Sequence, residues 1–286
     1  MPISITDSEA FLRRFHDSDP GVTARALARG RIEDGRSSYE ILADEAATDG
    51  SEPSRGAGSR TGVIVDLGCG DGHLLRCLLD RGFSAGRVVG IDLSRGELAR
   101  AGQCVPGARL ICARAQRLPV AERSANWVLS HLAFVLMAPV EPVVAEIARI
   151  LRPGGGFATV VGGGPRLGDA FELFADLLNR RLSAGASRPP PLGDRRASSE
   201  TGLAELLAPE RGFECLTIRD LSLGLDGSPA AVWRSLSSVY DMAYMAEFEI
   251  AQLRASFVQA AGTLADSRGV VPCTMMIRLV TCRRSA

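Results

Sequence analysis

The sequence contains no lysine, and arginine supplies all 33 of its basic residues. This absence excludes chemistry that needs a side-chain amine: a lysine Schiff base, a lysine general base, or a phosphate loop of the G-K-S/T kind. Coding in a GC-rich gene is the favoured explanation for the missing lysine. The basic residues are balanced by 33 acidic residues, so no net charge is available to attract a nucleic acid or an anionic membrane. Neither is an expected partner.

The cysteines are scattered along the chain. The seven cysteines are odd in number and include no C-x-x-C pair, which argues against a disulfide framework and against a zinc site. Long apolar runs are also missing, since no stretch of about 18 uncharged apolar residues occurs. The first residues lack the basic and then apolar pattern of a signal peptide. We therefore expect a cytoplasmic protein with no membrane span and no bound metal.

The composition changes along the chain predict three regions. Residues 1–60 are expected to form an N-terminal helical cap and a linker, because residues 7–47 have helical spacing and residues 48–60 are rich in Gly, Ser, Glu and Pro. Residues 61–165 are expected to form a ligand-binding core. Residues 166–286 are expected to form a helical substrate cap that also supplies the last two strands of the sheet.

Short apolar runs alternate with helical stretches from residue 62 onward. Strands are predicted at 63–65, 88–91, 109–112, 127–129 and 157–161, with helices at 74–81, 95–103 and 140–151 between them. Further on, we expect helices at 169–182 and 230–264, a loose segment at 187–199, and strands at 214–220 and 274–282. This alternation predicts an α/β fold: a Rossmann-like, doubly wound sheet, mostly parallel with an antiparallel C-terminal strand, plus helical caps.

One segment indicates a binding site. Residues 63–73, V-I-V-D-L-G-C-G-D-G-H, run from a predicted strand through Gly68, Gly70 and Gly72 directly into a helix. Such glycines let a ligand approach the main chain, and the helix N-terminus supplies oriented N–H groups. An incidental turn would give the same glycines. Asp92, which ends the next strand, is placed to accept both hydroxyls of a ribose.

Asp66 and His73 separate two classes of cofactor. A dinucleotide fingerprint would have glycine where this chain has His73, and it has no need of an acid before the loop. The Asp66 carboxylate would repel a pyrophosphate and attract a cationic amino-acid group. A nicotinamide-dependent oxidoreductase is therefore the least favoured interpretation.

Four segments in order resemble the class I S-adenosylmethionine-dependent methyltransferases, specifically the small-molecule, type 11-like group with an N-terminal helical cap. They are D-L-G-C-G-D-G at 66–72, G-I-D-L-S at 90–94, A-R-A-Q-R-L-P-V at 113–120 and E-I-A-R-I-L-R-P-G-G at 146–155. The resemblance covers residues 62–161 and extends to the rest by topology. It implies S-adenosylmethionine as cofactor and S-adenosylhomocysteine as product.

The resemblance also implies roles at the methionine end of that cofactor. Asp66 and the loop residues Gly68, Cys69 and Gly70 would hold this end. The main chain near Ser130 would approach the methionine amine.

At the adenosine end the resemblance assigns Asp92 to the ribose hydroxyls, Leu93 to packing on the adenine, and the Ala115 N–H to an adenine ring nitrogen. Arg114 stands where the family usually has an aspartate that accepts from the adenine amino group, and a guanidinium cannot accept. Either Gln116 or a main-chain carbonyl substitutes, or Arg114 stacks on the ring.

Candidates for the methyl acceptor's site are fewer. His131 follows the fourth strand at the carboxyl edge of the sheet, where its ordinary pKa near neutrality would suit a general base, although a hydrogen bond to a loop is the alternative. Tyr39, Tyr240 and Tyr244 are candidate pocket walls, with Tyr240 and Tyr244 on one face of a predicted helix. Ordinary helix packing explains that face as well. His16 has no distinguishing pattern.

The sequence therefore predicts a methyltransferase that acts on oxygen, nitrogen or carbon of a small, partly apolar metabolite, in the natural-product biosynthesis of a bacterium. Two alternatives stay open: an enzyme of the same fold that couples cofactor binding to cyclisation, and a non-catalytic protein that binds the cofactor or a partner. The N-terminal helices could also join two copies in a homo-oligomer.

Overall fold

The computed structural model describes residues 5–48, 62–184 and 192–286. The predicted linker beyond Thr48 and the prolines at 189–191 lie outside these residues. The described parts form ten α-helices and seven strands. The helices are α1 (Ile5–Ser18), α2 (Val22–Leu27), α3 (Ser38–Thr48), α4 (His73–Asp80), α5 (Arg95–Cys104), α6 (Val140–Ile150), α7 (Ala170–Ala184), α8 (Glu200–Leu206), α9 (Pro229–Leu236) and α10 (Glu247–Gly262). The strands are β1 (Ile64–Leu67), β2 (Val88–Asp92), β3 (Arg109–Cys112), β4 (Ala125–His131), β5 (Leu151–Pro165), β6 (Phe213–Gly224) and β7 (Thr274–Arg284).

The strands form one sheet in the order β3-β2-β1-β4-β5-β7-β6. The first five are parallel, and β7 runs antiparallel to both of its neighbours. This confirms the predicted fold class. The strand order reverses between β1 and β4, and ligands of open α/β sheets bind in the crevice at the carboxyl ends of strands at such a point. All four residues of β1 are buried, including Asp66, although the apolar run that predicts this strand ends at Val65.

Apolar clusters cover both faces of the sheet. On one face, the rings of Phe174, Trp233 and Phe257 meet at centroid distances of 5.8–5.9 Å and join α7, α9 and α10. On the other face, α6 and α8 bury Ile147 and Leu203 completely. No described helix is long and apolar enough to cross a membrane.

The predicted helix at 230–264 is wrong in its continuity. The chain leaves α9 at Ser237, makes a 3₁₀ turn at Tyr240–Tyr244, and begins α10 at Glu247. The Glu249 carboxylate accepts from the Ala246 N–H at 2.9 Å and so favours a new helix start there. Tyr240 and Tyr244 therefore share a short turn and not the face of a long helix, and Phe248 beyond them is 65% exposed.

Candidate active site

Two adjoining cavities lie where the carboxyl ends of β1, β2 and β4 meet the N-terminal helices. The Arg114 cavity, of about 110 Å³, is bounded by Arg114, Ala115 and Leu93 together with Glu9 and His16 of α1. The His131 cavity, of about 80 Å³, is bounded by His131, Tyr39, Asp66 and Tyr240. The two cavities share five lining residues: His16, Gly68, Asp92, Ala133 and Leu136. They thus form one elongated site.

The glycine loop wraps closely around the tip of β2. Gly68 and Cys69 donate backbone hydrogen bonds to the Ile91 carbonyl, at 2.8 and 3.1 Å, and the Gly70 N–H donates to Oδ2 of Asp92 at 2.9 Å. Gly68 has a positive φ of 76°, and a Cβ at that position would lie only 2.3 Å from the Cβ of Ala133. This geometry requires glycine and fixes the Asp92 carboxylate at the wall of both cavities.

Gly68→Ala is expected to lower the free energy of unfolding by about 2–4 kcal/mol, because left-handed strain and a steric clash add together. Gly82→Ala is the matched control: its φ is 87°, yet no atom lies within 4 Å of the place that its new methyl group would take. That variant should lose only about 1 kcal/mol. Urea unfolding of both variants separates the two costs, and equal losses would contradict the tight packing of Gly68 on Ala133.

Asp66 is buried without compensation. Its side chain is 1% exposed, and neither carboxylate oxygen accepts a hydrogen bond from the described residues. Burial raises the pKa of Asp66 well above its ordinary value, and the carboxylates of Asp92 and Asp71 add to the increase. A buried carboxylate without a partner is costly, so a cationic ligand group is its natural complement.

Asp92 is held differently. Its Oδ1 accepts from the Ser94 N–H at 2.8 Å, while its Oδ2 accepts from Gly70. Burial raises the pKa of Asp92 despite these two bonds. Each carboxylate oxygen has a second lone pair, so both can still accept from ligand hydroxyls.

His131 lies in an aromatic stack with Tyr39. The two rings are 3.6 Å apart between centroids and 19° from parallel, and His73 meets the edge of Tyr39 at 4.5 Å. Nε2 of His131 forms a 2.9 Å hydrogen bond with Ser38 Oγ, whereas Nδ1 has no partner among the described residues. Burial lowers the pKa of His131 to about 3, with a smaller contribution from His73. The ring is thus neutral and weakly basic, because burial moves its pKa away from the ordinary value that would suit a general base.

A histidine that the sequence did not distinguish connects the two cavities. Nδ1 of His16 lies 3.0 Å from Glu97 Oε1, and its Nε2 lies 3.0 Å from the Tyr240 hydroxyl. Glu97 is 2% exposed and also accepts from the Gly21 N–H at 2.8 Å. Because a carboxylate only accepts, Nδ1 of His16 carries a proton, and in the neutral form of the ring Nε2 is then the nitrogen that accepts from Tyr240.

No local sequence pattern indicates the cluster of His16, Glu97 and Tyr240. Glu97 stands three residues after Ser94, whose hydroxyl accepts from the Glu97 N–H and caps α5. Such spacing is typical of a capping box and so suggests a structural role for Glu97. Only the folded chain brings in His16, which is 81 residues from Glu97 and 224 from Tyr240.

At the other end, Arg114 pairs with Glu9 of α1, its Nη2 lying 2.7 Å and its Nε 3.2 Å from Oε1. Gln116 donates from Nε2 to the Ala138 carbonyl at 2.9 Å. Leu93 and Ala115 line the same cavity, and Cys69 lines the His131 cavity.

Two predicted site residues lie elsewhere. Ser130 is fully buried and lines neither cavity as the described residues form them; its hydroxyl donates to the Leu67 carbonyl at 2.8 Å, and its carbonyl accepts from Thr159. Leu132 and Ala133 line the His131 cavity instead. Tyr244 contacts Phe11 with ring centroids 5.1 Å apart and likewise lines neither cavity in the described parts. Ser130 packs inside strand β4, and Tyr244 lies on the 3₁₀ turn and not on a long helix. These positions explain the two differences.

Comparison with known proteins agrees with this architecture. Residues 65–159 match the family described as a methyltransferase domain. A trans-aconitate 2-methyltransferase of Acidovorax sp. is 30% identical over 159 residues, which is 51% of this chain and 55% of that protein. The chain spans between 18% and 55% of the length of the curated relatives it matches.

Solved structures show the same fold over the whole chain. The [4+2]-cyclase SpnF has a TM-score of 0.56 at 19% identity, with 100% of this chain and 97% of that one covered. A phosphoethanolamine N-methyltransferase 2 of Haemonchus contortus, solved with S-adenosylhomocysteine, has a TM-score of 0.56 at 16% identity and covers 99% of this chain and 61% of its own. The chain therefore contains a segment, residues 65–159, that matches a methyltransferase domain, and its fold is that of these solved structures.

Proposed function

We propose that this protein transfers the methyl group of S-adenosylmethionine to a small, partly apolar metabolite that is neutral or cationic. The observation that carries the proposal is Asp66, a buried carboxylate at the glycine loop with both oxygens unpartnered within the described chain. A carboxylate in this state fits a ligand that brings an ammonium group. The residues present therefore suit the cofactor.

The geometry indicates which residues would hold the cofactor. Asp66 and the main chain of Gly68 and Gly70 would hold the amino-acid end, and Asp92 would accept from the ribose hydroxyls. Leu93 and Ala115, on the wall of the Arg114 cavity, would enclose the base. When bound, the cofactor supplies an electrophilic methyl group on a sulfonium. The protein's main task is then to align the nucleophile and exclude water.

The acceptor would occupy the His131 cavity. Asp66, Gly68 and Gly70 of its lining would face the amino-acid end of the cofactor, so the acceptor would use the rest. Tyr39, Leu74 and Leu132 give it apolar walls, and Asp71 and Glu97 give it two carboxyl groups. Among the described residues that line it there is no arginine, and lysine is absent from the whole chain. An acceptor with a carboxylate or phosphate would face like charges without a counterion. We infer an alcohol, phenol or amine as the nucleophile.

His16 is the proton acceptor that we propose for such nucleophiles. As the nucleophile attacks, the Tyr240 hydroxyl takes its proton and donates its own to Nε2 of His16, while Glu97 stabilises the resulting imidazolium. No tyrosinate has to form, which matters because burial and the carboxylates of Asp92 and Glu97 raise the pKa of Tyr240 well above 10. His131, with a pKa near 3, is better suited to contact the acceptor than to remove its proton.

Ligand-dependent unfolding tests the cofactor assignment. The unfolding midpoint would be measured with S-adenosylmethionine, S-adenosylhomocysteine or NADH at equal excess. A ligand at about 100 times its dissociation constant adds about 2.7 kcal/mol of stability, which raises the midpoint by several degrees. We expect a rise with both sulfur ligands and none with NADH. No rise with either sulfur ligand would contradict the proposal.

Product mass tests the reaction itself. Panels of phenols, alcohols and amines, with carboxylates as the comparison set, would be incubated with the protein and S-adenosylmethionine. A product heavier by one CH₂ supports methyl transfer, and an isomer of unchanged mass would instead support cyclisation. Cofactor binding with no product from any panel would favour a non-catalytic binding protein. The setting that we propose, cytoplasmic natural-product biosynthesis in a bacterium, rests on the lysine-free composition and the helical caps.

A further inference from the structure

The ion pair between Arg114 and Glu9 leaves one carboxylate oxygen of Glu9 without a donor among the described residues. Nη2 and Nε of Arg114 both point to Oε1 of Glu9, at 2.7 and 3.2 Å. The second oxygen, Oε2, accepts no hydrogen bond from the described residues. Glu9 is only 16% exposed at its side chain, and it lines the Arg114 cavity beside Ala115 and Gln116. A carboxylate oxygen without a donor is thus held at the end of the cavity where Arg114 replaces the usual aspartate.

We propose that Glu9 recognises the adenine amino group: its Oε2 accepts the hydrogen bond that the missing aspartate would accept, and Arg114 holds the carboxylate in place. The inference rests on the proposed function, because it assumes that an adenosine enters this cavity. The accepting acid would then come from the N-terminal helix and not from the loop after β3. Arg114 would orient this acid. Helix α1 becomes part of the cofactor site.

Gln116 is the competing acceptor, since its side-chain oxygen is not used when Nε2 donates to the Ala138 carbonyl. Two features favour Glu9. A hydrogen bond to a carboxylate is about twice as strong as one between neutral groups. Oε1 of Glu9 accepts two hydrogen bonds from the guanidinium, whereas Gln116 has one anchoring bond. The structure therefore assigns the stronger and better oriented acceptor to α1.

The test uses two ligands that differ in one group: S-adenosylhomocysteine and its purine analogue without the 6-amino group. Calorimetric titration of the wild-type protein should give tighter binding of the first by about 10- to 100-fold. In Glu9→Ala, the affinity for S-adenosylhomocysteine should fall by about that factor, while the affinity for the analogue should change less than about twofold. The loss of discrimination is the expected result.

Asp17→Ala is the matched control on the same helix. Asp17 accepts from the Ser94 hydroxyl at 2.6 Å and the Gly96 N–H at 2.9 Å, and it lines neither cavity in the described parts. Loosening α1 in this way should weaken both ligands by the same factor. If Glu9→Ala also weakens both equally, or weakens neither, Glu9 only anchors the helix and the proposal is wrong. The proposal is also wrong if Gln116→Leu, and not Glu9→Ala, abolishes discrimination. If neither ligand binds the wild-type protein, the proposed function itself fails.

Discussion

Asp66→Asn is expected to raise the stability of the ligand-free protein and to weaken binding of S-adenosylmethionine. Removing a buried, unpartnered carboxylate relieves a desolvation cost, so we expect the free energy of unfolding near pH 7 to rise by about 1–3 kcal/mol. The same change removes the counterion of the ligand's ammonium group, so affinity should fall by about 100-fold, the equivalent of about 2.7 kcal/mol. Denaturant unfolding and calorimetric titration measure the two effects, which have opposite signs.

The pH dependence follows from the same carboxyl group. Because the pKa of Asp66 is raised in the folded state, the folded protein keeps this proton after the unfolded chain has lost it. Stability from Asp66 is therefore complete below its unfolded pKa and declines as pH rises toward the raised value. Asp66→Asn should flatten this decline. Affinity for a cationic ligand should rise over the same pH window, because ligand binding favours the charged carboxylate.

Asp71→Asn is the control for removing an acidic residue from the same loop. Asp71 has a cationic neighbour, Arg100, at 3.4 Å, so its removal should not stabilise the protein. Equal stabilisation of both variants would indicate a general relief of negative charge around the loop. A loss of stability in Asp66→Asn would contradict the view that this carboxylate is uncompensated.

The sheet was predictable from the sequence because its signals are local. A parallel strand buried on both faces is a short apolar run, and helices with amphipathic spacing stand between such runs. The glycine loop was also predictable, since a positive φ and a close approach to Ala133 both demand glycine at position 68. Asp92 was predicted for a similar reason: the end of a strand fixes where its last side chain lies.

The cap-derived half of the site was not predictable in this way. Glu9, His16 and Tyr240 reach the cavities from elements far along the chain, and each acquires its role from a partner on another element. Burial matters equally for His131, whose environment lowers its pKa in a way that its position after β4 does not reveal. The turn that separates Tyr240 from α10 depends on a side-chain cap at Glu249. The spacing of apolar residues, which predicts helices and strands, carries no information about these contacts between distant residues.

Tyr240→Phe is expected to lower kcat by about 100-fold for any alcohol or phenol acceptor that the product-mass panels identify, because it breaks the path from nucleophile to His16. The ring should stay in place, since it packs edge-on against Phe15 at a centroid distance of 4.8 Å. Affinity for S-adenosylhomocysteine should therefore change less than about twofold. His16→Gln should lower kcat at least as far, because it removes the final proton acceptor.

Tyr244→Phe provides the matched comparison, since it deletes the same hydroxyl four residues away from a ring packed on Phe11. It should leave kcat unchanged. His131→Asn should instead raise KM for the acceptor, because the stacked ring forms a wall of the cavity and its low pKa makes it a weak base. If kcat fell sharply in His131→Asn while Tyr240→Phe kept full activity, His131 would be the general base and the role proposed for His16 would be wrong. A loss of S-adenosylhomocysteine affinity in Tyr240→Phe that matched the loss of turnover would mean that the His16–Tyr240 bond serves to close α1 over the site.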